Sequence, residues 1–193
     1  VLERLRNAHL EWVVDTRDIG LIPESEIQIR ELNSGARYNI LKNAKPDLIE
    51  QIRNTANLAV NNDSDFGDLK DAANHSDSIV RYWALIGIGN RPDEATSCKS
   101  MLVEALTDSS PCVRIAASRA LLKINEPRQA LLTLKNEITG EHQWARLRAA
   151  IVLDESGEAA RPLIPELKRC LKDQPNKYIT RVANRTLNVL LDT

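Results

Sequence analysis

The sequence has 193 residues, of which 42% are hydrophobic and 27% are charged, and its formal net charge is −1. This length allows one or two domains with a sizeable core, and the balanced charge argues against nucleic acid or an anionic membrane as partner. No apolar run approaches the length of a membrane span. Aromatic residues are only 4% of the chain, which favours helix interfaces lined by alanine and leucine.

The N-terminal part is predicted to form a helix and a connecting segment. Apolar side chains at helical spacing indicate a helix over residues 1–18. This helix should end near Asp18, because Gly20 and Pro23 follow closely. A second, short helix is expected to begin at Ser25, whose hydroxyl can serve as its N-cap.

From Pro46 onward the chain changes character. An apolar stripe predicts a helix over residues 47–60, and a polar turn follows it. We therefore divide the sequence into residues 1–44, an N-terminal helix and linker, and residues 45–193, a domain of helical repeats.

A recurring Val-Arg-x-x-Ala pattern dominates the repeat domain. Its arginines, Arg81, Arg114 and Arg146, are separated by 33 and 32 residues, and Thr180 takes the same position 34 residues further on. A near-constant period of this size indicates stacked helical hairpins. The pattern marks the second helix of each hairpin, helix B, and an apolar helix A precedes it.

N-cap residues precede each helix B. Asp77, Ser110 and Asn176 can each accept hydrogen bonds from the first free helical N–H groups, whereas His142 in the third repeat is a weaker cap. Pro111 occupies a first helical position, where a missing N–H costs nothing.

Small residues recur inside helix B and predict close contact between neighbouring helices. They occupy one position of the pattern in all four repeats: Ala84, Ala117, Ala149 and Ala183. The pair Gly87 and Gly89 lies further along the first helix B. A phosphate-binding loop would need a preceding strand, so we interpret these glycines as sites of tight packing and helix termination.

The segment from about residue 65 onward resembles HEAT-like repeats through the V-R-x-x-A-x-x-x-L pattern of helix B. The resemblance covers about two-thirds of the chain. It implies an all-α fold, a right-handed α-solenoid of HEAT-like helical hairpins, preceded here by the N-terminal helix and connecting segment.

A second resemblance lies before the repeats. The segment His9–Glu24 is similar to the end of the catalytic fold in some bacterial sulfatases, where a helix carries W-x-x-x-T-x-D-x-G-L-x-P-E and HEAT-like repeats sometimes follow. The matching residues are Trp12, Thr16, Asp18, Gly20, Leu21, Pro23 and Glu24.

Sulfatases of that kind use a formylglycine made from C/S-x-P-x-R beside a calcium ion. This sequence lacks the motif; in Ser109–Arg114 the arginine comes one place too late. The resemblance thus implies a catalytic domain upstream of Val1, so we expect no enzyme activity and no cofactor in this chain, with calcium confined to the missing domain. A periplasmic or extracellular location would follow if the parent sulfatase is exported.

The repeated arginines are candidate interaction residues. A row formed by Arg81, Arg114 and Arg146 could bind carboxylate, sulfate or phosphate groups. The alternative, which we favour, is a structural ladder in which each arginine bonds an acidic side chain or a carbonyl group at a neighbouring helix end.

Aromatic side chains are the other candidates. Trp144 and Tyr178 occupy equivalent positions of adjacent repeats and are expected to be neighbours, and Trp83 and Trp12 complete the set. Packing is the favoured interpretation, with contact to a sugar or peptide as the alternative.

The leading hypothesis is a non-catalytic, C-terminal HEAT-like domain of a sulfatase. Its partner would be a protein, the missing catalytic domain, or a sulfated glycan. The apolar face of the Trp12 helix would then look too exposed for an independent protein. The alternative is an independent HEAT-repeat scaffold or regulatory protein-binding module, which predicts a well-covered N-terminal helix.

Overall fold

The computed structural model describes residues 1–42 and 44–192. Within these ranges the chain is helical and contains no β-strand, which confirms the predicted all-α class. The N-terminal part comprises helix α1 (Leu2–Asp15), a 3-10 turn (Ile19–Leu21), helix α2 (Glu24–Ser34) and a second 3-10 turn (Arg37–Asn39). The predicted ranges 1–44 and 45–193 also include Asn43 and Thr193, which lie outside the described residues.

The rest of the chain forms helical hairpins, as predicted. Helix α3 (Pro46–Val60) precedes them. The B helices are α5 (Ser78–Asn90), α8 (Pro111–Lys123), α10 (Gln143–Glu155) and α12 (Lys177–Leu191). The A side consists of α4 (Phe66–Ala72), the short α6 (Pro92–Ala95) with α7 (Lys99–Ala105), α9 (Pro127–Thr139), and α11 (Ile164–Arg169) after a 3-10 segment (Gly157–Leu163).

Helix B of each repeat packs on helix B of the next, so the hairpins form a solenoid. Helix α5 lies between α3 and α8, and α10 lies between α8 and α12. The predicted column of alanines lies within these interfaces, and all four side chains are fully buried. Small side chains at this position let the helices approach closely, which confirms the alignment of the repeats.

At Gly87, helix α5 lies very close to the neighbouring helices α3 and α4. A Cβ atom at this position would lie 2.7 Å from Leu69 Cδ2 and 2.9 Å from the Cα atom of Ala59. At Gly89 a Cβ would lie 3.1 Å from the Ala120 Cβ, and the helix ends one residue later at Asn90. The two glycines therefore serve packing and helix termination, as the sequence indicated.

The predicted caps are only partly confirmed. Asp77 and Asn176 accept hydrogen bonds from the backbone N–H groups of Ile79 and Tyr178, at 2.8 and 3.0 Å. Ser110 occupies the N-cap position of α8, but its hydroxyl donates to Glu26 instead. The expected cap at Ser25 is wrong, because α2 begins at Glu24 and Ser25 is buried within its first turn.

The N-terminal part packs directly on the repeats. Ile22 and Leu41 belong to one apolar cluster with Ile52, Ile79 and Val80. The boundary predicted at residues 44 and 45 thus falls just before α3, yet the two parts share a core. Among the helices of the described residues, none combines the length and apolarity that a membrane crossing requires.

Candidate interaction sites

The first repeated arginine is bound on three sides by protein groups. Arg81 donates to both carboxylate oxygens of Asp108, from Nε at 2.8 Å and Nη2 at 2.9 Å, and its Nη1 donates to the carbonyl oxygens of His75 and Ser76. Hydrogen bonding to Asp108 raises the pKa of Arg81. Burial alone would raise the pKa of Asp108, but the hydrogen bonds from Arg81 and the Ser110 amide outweigh it and leave that pKa lowered.

The next two arginines repeat this arrangement. Arg114 donates from Nε to Glu137 at 2.6 Å and from Nη1 to the carbonyl oxygen of Asp108 at 2.7 Å. Arg146 donates from Nε to the carbonyl oxygen of Gly140 and from Nη1 to Gln174 at 3.2 Å. Each guanidinium group therefore joins the turn that precedes its own helix to a side chain of the following repeat.

We call this set of contacts the arginine ladder, formed by Arg81, Arg114 and Arg146 with their partners. Arg81 and Asp108 line a surface cleft of about 380 Å³, but their charges already satisfy each other. The contacts support the structural interpretation of the row over a row of free guanidinium groups awaiting an anion. The fourth repeat carries Thr180 at this position, so the ladder ends there.

Trp83 is also engaged within the chain. Its indole N–H donates to the carbonyl oxygen of Leu21 at 2.8 Å, and its ring packs edge-on against Tyr82, with ring centres 5.2 Å apart. The tryptophan thus holds the 3-10 turn of the N-terminal part onto the repeats.

The other two aromatic candidates of the repeats are Trp144 and Tyr178. They do not stack on each other among the ring contacts of the described residues, and their packing as neighbours stays a prediction. Tyr178 is 49% exposed, and its ring faces Lys177 and Arg181, whose charged groups lie 5.5 and 5.4 Å from its centre. Both cations belong to its own helix, α12.

Helix α1 and the residue before it present an unusually exposed apolar face. Residues 1–9 are all exposed, and the large apolar side chains fall on one side of the helix at 100° per residue: Val1 (94% exposed), Leu2 (61%), Leu5 (57%) and Trp12 (53%). We call these four residues the α1 face. Only the C-terminal end of the helix is anchored, through the buried side chain of Val13 and contact with α3.

Arg17 and Asp18 build the junction after α1. Asp18 accepts a hydrogen bond from the Gly20 N–H at 2.9 Å and caps the 3-10 turn. Arg17, two residues after the end of α1, adopts the left-handed conformation with φ of 54°. Its guanidinium group donates to the carbonyl oxygens of Leu41 and Ala44, both at 2.8 Å. These bonds fix the direction in which α1 leaves the repeats.

A buried carboxylate, which sequence reasoning missed, joins α2 to the repeats. Glu26 is only 4% exposed and accepts hydrogen bonds from the hydroxyls of Ser78, at 2.7 Å, and Ser110. Arg30 binds Glu26 at 3.0 Å and also binds both carboxylate oxygens of Asp77. The only sequence signal was an acidic and a basic residue at helical i, i+4 spacing, which is common on exposed helices.

Neither metal ligands nor reactive thiols stand out. The described residues contain no cluster of three or more histidine, cysteine or acidic side chains suited to a metal ion. Cys98, Cys112 and Cys170 are free and buried, and burial raises the pKa of the Cys112 and Cys170 thiols. Buried thiols with raised pKa are poor nucleophiles.

Comparison with known families supports the repeat assignment. A family model described as HEAT repeats matches residues 68–137, a span that begins within α4 and ends within α9. No curated protein matches the chain significantly. The two HEAT-repeat hairpins coincide with the part of the arginine ladder formed by Arg81 and Arg114.

Proposed function

We propose that this chain is a non-catalytic interaction domain that packs, through the α1 face, against the catalytic domain of a sulfatase. HEAT repeats commonly mediate protein interactions, and the sulfatase part of the proposal rests on the resemblance of the segment from Trp12 to Glu24. The exposed α1 face is the observation that carries it.

The stability of α1 depends on tertiary contacts. A helix of 14 residues is marginally stable in water without tertiary contacts. Its first eight positions, residues 2–9, are exposed, and its large apolar side chains are aligned on one side. An aligned, exposed apolar face of this kind is typical of an interaction site.

The alternative, an independent HEAT-repeat scaffold, accounts less well for the exposed α1 face. An independent HEAT-repeat protein would be expected to cover its N-terminal helix, and α1 is covered only around Val13. Binding of a sulfated glycan along the arginine row also has less support, because Arg81, Arg114 and Arg146 already bond protein groups.

The sequence encoded upstream of Val1 tests the sulfatase part of the proposal. We expect a C/S-x-P-x-R motif in that reading frame, and its absence would contradict the assignment. The purified chain, supplied with calcium, should not hydrolyse an aryl sulfate. Measurable turnover that increases in proportion to the concentration of the pure chain would contradict the non-catalytic role.

A further inference from the structure

We propose that the surface beneath α2 is a helix-binding site, which α2 occupies within the chain and which a partner helix carrying Glu-x-x-x-Arg can take over. We call it the α2 surface; it is formed by Asp77 and Ser78 of the first repeat, Ser110 and Cys112 of the second, and helix α10 of the third. This site is distinct from the α1 face and does not depend on the sulfatase assignment.

The α2 surface selects for charge. The hydroxyl groups of Ser78 and Ser110, at the N-terminal ends of α5 and α8, both donate hydrogen bonds to the Glu26 carboxylate. The dipoles of these two helices also favour a negative charge at this place. Asp77 lies beside them and accepts two hydrogen bonds from a guanidinium group. A ligand helix must therefore present an acidic residue and, one helical turn later, an arginine.

Helix α2 meets these requirements but fits the surface imperfectly. Its two buried side chains, Ser25 and Glu26, are polar, and the apolar Ile27 is only partly buried, so its docking gains less from the hydrophobic effect than that of a helix with a buried apolar face. The side-chain oxygen of Gln28 is buried and has no hydrogen-bond partner among the described residues, which carries a desolvation penalty. A helix of 11 residues has little stability by itself.

The connections of α2 allow it to leave without disturbing the rest of the fold. The Trp83 bond to Leu21 anchors the chain before α2, and the buried side chain of Leu41 anchors it afterwards. Residues 35–39 between α2 and Leu41 are all exposed, and Gly35 adopts the left-handed conformation with φ of 73°. Helix α2 can thus detach as a loop between two fixed points.

A labelled peptide of residues 20–36 tests the proposal in the full chain. The substitution Glu26→Lys should release α2, because it places a cation beside Arg30, and should leave the surface free for the wild-type peptide. Fluorescence anisotropy should show at least tenfold tighter peptide binding to this variant than to the wild-type chain, in which the tethered α2 competes. The same peptide carrying Glu26→Lys should not bind.

The matched control is Glu31→Lys, the same charge change on the same helix. The Glu31 side chain is 39% exposed, and its ion pair among the described residues is with Arg37, at 3.7 Å, so this variant should bind the peptide no better than the wild type. Equal peptide binding by the Glu26→Lys and Glu31→Lys chains would overturn the proposal.

Hydrogen exchange of the wild-type chain provides a test that needs no substitution, should Glu26→Lys prevent folding. The amides of α2 should exchange at least tenfold faster than those of α8, because α2 opens by itself. Equal protection of the two helices would overturn the proposal. A wild-type dimer that exchanges α2 between its subunits would make a second copy the occupant, and would likewise overturn the partner-helix form.

Discussion

Removing the guanidinium group of Arg114 tests the ladder quantitatively. In Arg114→Ala the Glu137 carboxylate, only 8% exposed, loses its partner, and the Asp108 carbonyl oxygen loses a donor. Breaking a buried ion pair costs about 3–5 kcal/mol. Because the Arg114 side chain is 24% exposed, solvent screens part of this, and we expect a loss of about 2–3 kcal/mol in the free energy of unfolding.

Urea unfolding followed by circular dichroism measures this loss. For a chain of this size the expected fall in melting temperature is about 4–12 °C. The control is Arg161→Ala, because Arg161 forms an exposed pair with Glu158 within one helical turn and should not change stability measurably. The double variant Arg114→Ala/Glu137→Ala should recover about 1–2 kcal/mol, since it removes the lone buried charge.

The ladder would be refuted if Arg114→Ala were as stable as Arg161→Ala. The guanidinium group of Arg114 would then not stabilise the fold. The alternative interpretation, a row of arginines available to an anionic ligand, would regain support.

Three further predictions concern packing, capping and pH. Gly87→Ala gains about 1 kcal/mol of helix propensity but places a methyl group against a neighbouring backbone, so thermal unfolding should show a net loss of about 1 kcal/mol, whereas Gly89→Ala should lose less. Asn176→Ala should lower the unfolding free energy by about 1 kcal/mol in urea titrations, through loss of the cap. Because the pKa of Asp108 is lowered in the folded state, its contribution to stability should be complete above about pH 4 and lost as the pH falls further. Asp108→Asn should therefore flatten the acid limb of the stability profile, and an unchanged limb would contradict this assignment.

The repeat architecture could be predicted because it follows from local, periodic features of the sequence. The spacing of Arg81, Arg114 and Arg146 places the B helices, and the alanine column identifies the face on which they pack. The cap residues Asp77 and Asn176 act within two residues of their own position, so their roles follow from the neighbouring sequence alone.

The position of α2 could not be predicted, because it depends on contacts with no periodic signal. Glu26 and Ser110 are 84 residues apart in sequence. The same contact explains why Ser110 does not cap its helix: the hydroxyl is held by the hydrogen bond that it donates to the Glu26 carboxylate, and a hydrogen bond to a charged group is stronger than one to a neutral backbone N–H. Ser25 lost its predicted role because packing of α2 on the repeats buries its first turn.

The aromatic candidates show a similar limit. Equivalent positions in the repeat do not guarantee ring stacking: Tyr178 lies on the exposed side of α12, where two cations approach its ring. The role of Trp83 depends on a hydrogen bond to Leu21, 62 residues away, which no local pattern could reveal.

Calorimetric titration of the chain with the separately purified polypeptide encoded upstream of Val1 tests the proposed interaction most directly. The account predicts specific binding that weakens at least tenfold in Leu5→Ala and Trp12→Ala. Leu132→Ala, which alters an equally exposed leucine on α9 (61%), should bind like the wild type. Absence of binding, or equal binding by all three variants, would contradict the claim that the α1 face is the interaction site.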